Sequence, residues 1–216
     1  MRIDIWSDVS CPWCYITKRT FELALSASGR DDAHVVLHPY LIDGEHPAEP
    51  VPMLTWLADK YGAERAALMD QEVTAAGPRH GIAFRNATGF AVNTFDAHRL
   101  LWWAGRTLGR PVQSRLEDLF FAACFTHSAD LSDHSGLLRY VERADAGRDR
   151  AARVLGSDEG VAEVRAELAR ARDLGITTVP RLAFGGGPVI EGPQQDPAVF
   201  LRALAGPTAT PSRGGR

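Results

Sequence analysis

Cysteine is scarce in this sequence: Cys11, Cys14 and Cys124 are the only three in 216 residues. Three cysteines cannot build a disulfide framework, and a reducing compartment disfavours a structural bridge. Lysine is scarcer still. Lys18 and Lys60 are the only two among 24 basic residues, a skew that looks like coding bias and carries no function. Charge of one sign is missing too. The 24 basic and 27 acidic residues leave a net −3, which argues against nucleic acid and membrane surfaces as partners. Long apolar runs are absent; Leu119–Phe125 falls far short of the roughly 18 residues that span a bilayer. Asp4 and Asp8 interrupt any apolar leader near the start, so the expected location is cytoplasmic.

What is present is ordinary for a globular chain: 45% hydrophobic and 24% charged residues. A chain of this length buries roughly 70% of its unfolded surface, so it needs neither metal nor disulfide to fold. Ile3–Ser7 alternates apolar and polar residues as a strand does. Cys11 or Ser10 then stands at the start of a helix that has Pro12 in its first turn, where proline is favoured, and that stops near Gly29. Ala33–Tyr40 reads as a second strand, and its run Val35-Val36-Leu37 suits one covered on both faces.

Residues 41–52 read as loop. Helices are expected over Met53–Tyr61, Glu64–Ala76, Thr94–Leu108, Val112–Phe125, Ser135–Ala144, Arg148–Leu155 and Glu159–Leu174, the last capped by Ser157-Asp158. Gly81–Arg85 reads as extended. Arg181–Phe184 and Pro188–Glu191 form two short strands around the turn Gly185-Gly186-Gly187, and Asp196 caps a final helix with Pro197 in its first turn.

The order is therefore βαβ, a long helical block, then ββα. The expected class is α/β: residues 1–45 and 175–206 form one discontinuous domain, an all-helical insertion domain covers 46–174, and 207–216 form a disordered tail.

Cys11-Pro12-Trp13-Cys14 is the sharpest chemical signal. Two cysteines three positions apart at a helix start lie almost one turn apart and can close a disulfide. The first faces unpaired backbone N–H groups and the positive end of the helix dipole, and thiols at such places ionise more readily than a free cysteine. Thiolate is the attacking species in disulfide exchange, so Cys11 is the expected nucleophile and Cys14 the resolving thiol. Two other readings stay open: half of a zinc site, which needs two further ligands, and two core cysteines without a role.

The stretch Asp8-Val9-Ser10-Cys11-Pro12-Trp13-Cys14-Tyr15 resembles the DsbA family of thioredoxin-fold oxidoreductases, and within it the FrnE-like branch that lacks a signal sequence. The resemblance runs over nearly the whole chain. Ile176–Phe184 is similar to the family's Gly-Val-Pro loop and following strand, and Val189–Gln194 to its terminal Ile-x-Gly-Ala-Gln segment. Phe90–His98 and Leu119–Phe125 resemble helices of its inserted domain. Thr178 and Pro193 depart from the pattern, standing where glycine and alanine are common.

The resemblance implies a thioredoxin-like fold and thiol–disulfide exchange through the CPWC dithiol. It also implies a cis Pro180 beside Cys11, and a Val179 backbone free to pair with an extended substrate by strand addition. Pro12, Trp13, Val179 and Pro180 would then shape the substrate site. No metal and no cofactor are expected, with glutathione as a candidate co-substrate. The implied partners are protein or small-molecule thiols and disulfides, for a monomer or homodimer. The alternative within the same fold is a glutathione-dependent isomerase or transferase, of the 2-hydroxychromene-2-carboxylate isomerase or kappa-class type, linked to polyketide metabolism. Relatives of that kind usually carry serine at the first position of the motif, so Cys11 argues for redox chemistry.

The remaining candidates read as structural. Asp8 and Lys18 are taken as exposed charges, His98 as a hydrogen-bonded core histidine and Cys124 as a buried small hydrophobe. His127, Asp130, Asp133 and His134 are taken as a solvated loop.

Overall fold

Alternating apolar residues make Arg2–Ser7 (β1) the centre of the architecture. The computed structural model describes residues 1–42, 44 and 49–206. The predicted tail at 207–216 lies outside them, as does most of the stretch around the expected boundary at 45/46. β1 pairs in parallel with His34–Pro39 (β2) and antiparallel with Arg181–Phe184 (β5), which pairs antiparallel with Val189–Glu191 (β6); the order is β2-β1-β5-β6. Ile5 lies opposite Leu37 on one side and Leu182 on the other, so the apolar positions of three strands share a face. This is a mixed α/β, thioredoxin-like arrangement.

The helix Pro12–Ser28 (α1) crosses from β1 to β2. Cys11 caps it in an extended conformation, Pro12 opens it, and Gly29, at φ 63°, ends it in the left-handed region that suits glycine. The last helix, Pro197–Ala205 (α9), opens with the Asp196 carboxylate accepting the Ala198 N–H at 2.9 Å. Both helices pack on one face of the sheet. Phe21 of α1 meets Phe184 and Phe200 edge-on, at 6.3 and 5.5 Å between ring centres, beside the fully buried Ile3. Each such ring contributes about 1.5–3 kcal/mol by burial.

Between β2 and β5 the chain is helical: Met53–Tyr61 (α2), Ala63–Ala76 (α3), Phe95–Thr107 (α4), Arg110–Phe125 (α5), His134–Arg143 (α6), Arg148–Leu155 (α7) and Val161–Asp173 (α8). Arg99, almost wholly buried on α4, ties this block together. Its guanidinium donates to the carbonyls of Val154, Ser157 and Glu159 and to Asp96. One apolar cluster runs from Val9, Cys11, Cys14 and Tyr15 into Leu100, Phe120 and Phe121, so the motif shares a core with the helical block. Tyr15 stacks on Phe121 with 5.0 Å between ring centres. No helix among the described residues is long and apolar enough to cross a membrane.

The structure corrects four details of the sequence reading. β2 is an edge strand, half-buried rather than covered on both faces; its other side is partly closed by α8, where Glu167 reaches His38 at 2.7 Å. Within the expected loop 41–52, Val51–Pro52 (β3) pairs with Phe90–Ala91 (β4) in a two-stranded ladder. Gly81–Arg85 forms no strand, because the Ile82 N–H turns back to the Gly77 carbonyl. α8 starts after Gly160, at φ 80°, where a Cβ would meet Trp102 at 2.9 Å; Ser157 instead closes its own turn by accepting the Glu159 N–H.

Candidate active site

The end of β1 and the start of α1 place the two motif cysteines differently. Cys11 caps the helix, and its sulfur accepts the Cys14 N–H at 3.4 Å. The Cys11 thiol also points at the Val179 carbonyl, 4.0 Å away. The Val179–Pro180 peptide bond is cis. Pro180 leads directly into β5, and its carbonyl accepts the Gly192 N–H at 2.9 Å, which fixes the loop against the end of β6. Cys11, Cys14, Val179 and Pro180 are thus brought together from sequence positions some 170 residues apart, and all four are buried.

Cys14 sits one turn in, on the inner side of α1. Burial pushes its thiol well above the usual cysteine range, and the neighbouring Cys11 adds to the effect. Behind it Ser7, Thr17, Lys18, Pro180 and Glu117 line a void of about 10 Å³. Glu117, on α5, is almost wholly buried, and its Oε2 lacks a hydrogen bond. Burial holds its carboxyl above the ordinary value near 4.5, even though Lys18 and Arg110 pull the other way.

Lys18 is not a surface charge. It is buried between α1 and α5, donating to Glu22, Ser114 at 3.1 Å and Asp118 at 2.9 Å. Its apolar neighbours on α1 face inward, and the ammonium is tolerated because carboxylates on two helices meet it.

Asp8 corrects the reading further. It is fully buried beneath the motif. Its Oδ1 accepts from Thr94 Oγ1 at 2.9 Å, the Ser10 N–H at 3.1 Å and His98 Nε2 at 3.3 Å, and its Oδ2 accepts the Ile42 N–H at 2.9 Å. Burial pushes this carboxyl up, but His98 and the two backbone donors outweigh burial and hold it below the usual aspartate range. One carboxylate therefore pins the motif loop, the segment after β2 and the start of α4. The signal was present in sequence: Asp8 lies three residues before Cys11, and Thr94 and His98 are four apart on one helix face.

The other residues fall where structure needs them. Cys124 is buried on α5, and burial pushes its thiol up to about 12. Asp133 caps α6, accepting the N–H groups of Ser135 and Gly136, and His134 pairs with Asp96 at 2.7 Å. Among the described residues no group of three or more His, Cys, Asp or Glu side chains gathers as a metal site.

On its outer side Cys11 opens into a cavity of about 120 Å³. Pro12 and Trp13 form its rim, and Met53, Leu57 and Val73 of α2 and α3 form the facing wall. Ser10, Asp70 and Asn86 are polar members of the lining. Sequence reading missed this wall, because nothing in α2 or α3 other than their amphipathic pattern ties them to the motif.

A Cys-x-x-Cys opening a helix at the end of a central strand, facing a Val–Pro loop that leads into the antiparallel neighbour, defines a protein of the thioredoxin-like class. The chain belongs to the DSBA-like thioredoxin domain family, whose model matches residues 2–205. It is similar in structure to a probable DsbA oxidoreductase from Streptomyces coelicolor: 33% identity, TM-score 0.85, covering 95% of this chain and 88% of that one. The cytosolic disulfide reductase DsbM from Pseudomonas aeruginosa, also solved with GSH, superimposes with TM-score 0.66 at 16% identity over 95% of this chain and 97% of that one. A 2-hydroxychromene-2-carboxylate isomerase gives TM-score 0.69 at 12% identity over 95% and 94%. At such identities the last two share the fold alone. No curated protein matches the chain.

Proposed function

We propose that this protein is a thiol–disulfide oxidoreductase in which Cys11 is the nucleophile and Cys14 the resolving thiol. One observation carries the reading: the Cys11 sulfur caps α1 and accepts the Cys14 N–H, and Cys11 lines the cavity of about 120 Å³ whereas Cys14 lines the void of about 10 Å³. The larger cavity is lined by Cys11 and not by Cys14, so a group held there meets the Cys11 side of the motif. A hydrogen bond to sulfur strengthens as the sulfur takes up charge, which favours attack from Cys11.

The reaction balances as two exchanges. The Cys11 thiolate attacks one sulfur of a substrate disulfide; that S–S bond breaks, and the leaving thiolate takes a proton. Cys14 then loses its proton and attacks the Cys11 sulfur of the mixed disulfide, closing Cys11–Cys14 and releasing the second thiol. Two electrons and two protons pass from protein to substrate, and the reverse sequence oxidises a dithiol. Val179 offers its backbone beside Cys11, Pro180 shapes the floor and Trp13 the rim. No metal or cofactor takes part, and the cytoplasm is the proposed setting.

The test is an equilibrium titration in dithiothreitol and glutathione redox buffers, read by tryptophan fluorescence and by thiol trapping. A reversible two-electron transition, absent in Cys14→Ser, is expected. Both thiols staying reduced at every poise would overturn the reading and leave the glutathione-dependent isomerase in its place.

A further inference from the structure

The cavity on the outer side of Cys11 has a composition that its position alone does not explain. We propose that it is the pocket for the non-reacting part of the substrate, and that it selects a compact uncharged or cationic disulfide over an anionic one such as oxidised glutathione. The ligand class is a single ring or short alkyl group bearing an N–H or O–H donor. This rests on the thiol–disulfide reading above and narrows it to small molecules of that kind.

Size is the first observation. The cavity measures about 120 Å³, and an apolar cavity near 150 Å³ holds a benzene ring. Its wall is largely apolar, with Trp13, Met53, Leu57, Val73 and Phe125 among its lining. That space suits one ring and has no room for a folded chain.

Charge is the second. Among the described residues lining the cavity there is no lysine, arginine or histidine, and Asp70 is the one carboxylate. Glutathione carries two carboxylates on each half. Placed here they would lose water, gain no cation and face Asp70, a costly exchange. A neutral or cationic group meets no such penalty.

Unpaired polar atoms are the third. Ser10 and Asn86 both line the cavity, and Ser10 Oγ and Asn86 Oδ1 are buried without a hydrogen-bond partner. Asn86 is 8% exposed, and its Nδ2 donates to Asp70 Oδ1 at 2.8 Å. That bond fixes the amide, since only its nitrogen can face a carboxylate, and leaves Oδ1 as an acceptor. A buried acceptor without a donor is unfavourable, and a ligand N–H or O–H relieves it.

The experiment follows oxidation of the reduced full-length protein by three disulfides: 4,4′-dithiodianiline (aromatic, with N–H donors), cystamine (cationic) and oxidised glutathione (anionic). Each rate is divided by that of the same disulfide with free 2-mercaptoethanol, which removes leaving-group differences. The expected order is dianiline disulfide, then cystamine, then glutathione, with at least about a tenfold span between the ends, as pocket discrimination commonly gives. Leu57→Trp, which fills the cavity from α2, should collapse that span; if it fails to fold, Met69→Trp makes the same change from α3.

A normalised glutathione rate equal to or above the other two overturns the proposal, as does a span unchanged by a folded cavity-filling variant. The redox titration is run on the same preparation. No transition there overturns the thiol–disulfide reading itself, whereas a normal transition without selectivity overturns the pocket assignment alone.

Discussion

The two sulfurs of the motif are one helical turn apart and meet opposite surroundings. Cys11 looks outward into an apolar cavity with no lysine, arginine or histidine among its described lining. Cys14 looks inward at a void of about 10 Å³ shared with Lys18, Arg110 and Glu117. Charge is concentrated behind the motif and nearly absent in front of it. One helix start thus presents its two sulfurs to two different environments. The front is largely apolar, with Asp70 the one charged side chain among its described lining. The back is closed, and burial there pushes the Cys14 thiol well above the usual cysteine range.

The largest effect should come from the cysteines themselves. Cys14→Ser is expected to accumulate a mixed disulfide on Cys11, seen as added mass that a reductant removes, and Cys11→Ser should fall to background exchange. Equal trapping by both variants would erase the contrast between front and back.

Next in size is packing. Phe121 is fully buried under Tyr15 and joins α1 to α5. Phe121→Ala should lower unfolding stability by about 3–5 kcal/mol, measured by urea titration. A loss under 1 kcal/mol would mean that α1 is not held from behind by this joint.

Asp8→Asn should cost about 1–3 kcal/mol, because it disturbs buried hydrogen bonds to a charged acceptor. Its pH signature is more telling. The folded-state value lies below the ordinary 3.8. The stabilisation from Asp8 is therefore complete above about pH 4 and is lost as pH falls through the folded value. Denaturant melts of the wild type should weaken steeply below pH 4, and Asp8→Asn should flatten that fall. An unchanged acid limb would show that folding does not lower the Asp8 value.

Glu117→Gln is the smallest effect and has the opposite sign. Burial raises the Glu117 value above about 4.5, so the folded protein holds this proton more tightly than the unfolded chain. Stability from this group is present below pH 4.5 and declines as pH rises through the folded value. The glutamine variant should be the more stable form at pH 8 and show no such decline. A destabilised variant at pH 8 would mean that the carboxylate is needed behind Cys14.

Much of this was legible in the sequence. Met53–Tyr61, Arg148–Leu155 and Arg181–Phe184 have the expected limits, because their patterns end at glycines, prolines or polar turns. The capping by Asp196 followed from local chemistry, and of the two candidates Ser10 and Cys11 the structure selects Cys11. Misreadings arose where a neighbour decided the outcome. Asp8 and Lys18 looked like surface charges, because single-residue priors favour exposure, and partners 86 and 100 positions away reversed that. The half-buried β2 followed from its place at the sheet edge, which no local pattern encodes.

The sequence by itself determined the order βαβ, helices, ββα, and the CPWC dithiol at a helix start. Periodicity and capping act over a few residues and can be read there. Only the tertiary structure decided that Val179 faces Cys11, that α2 and α3 wall a cavity in front of it, and that Glu117 lies behind Cys14. Those contacts join residues far apart in the chain, and they exist because burying apolar faces against one another outweighs the entropy of ordering the segments between them.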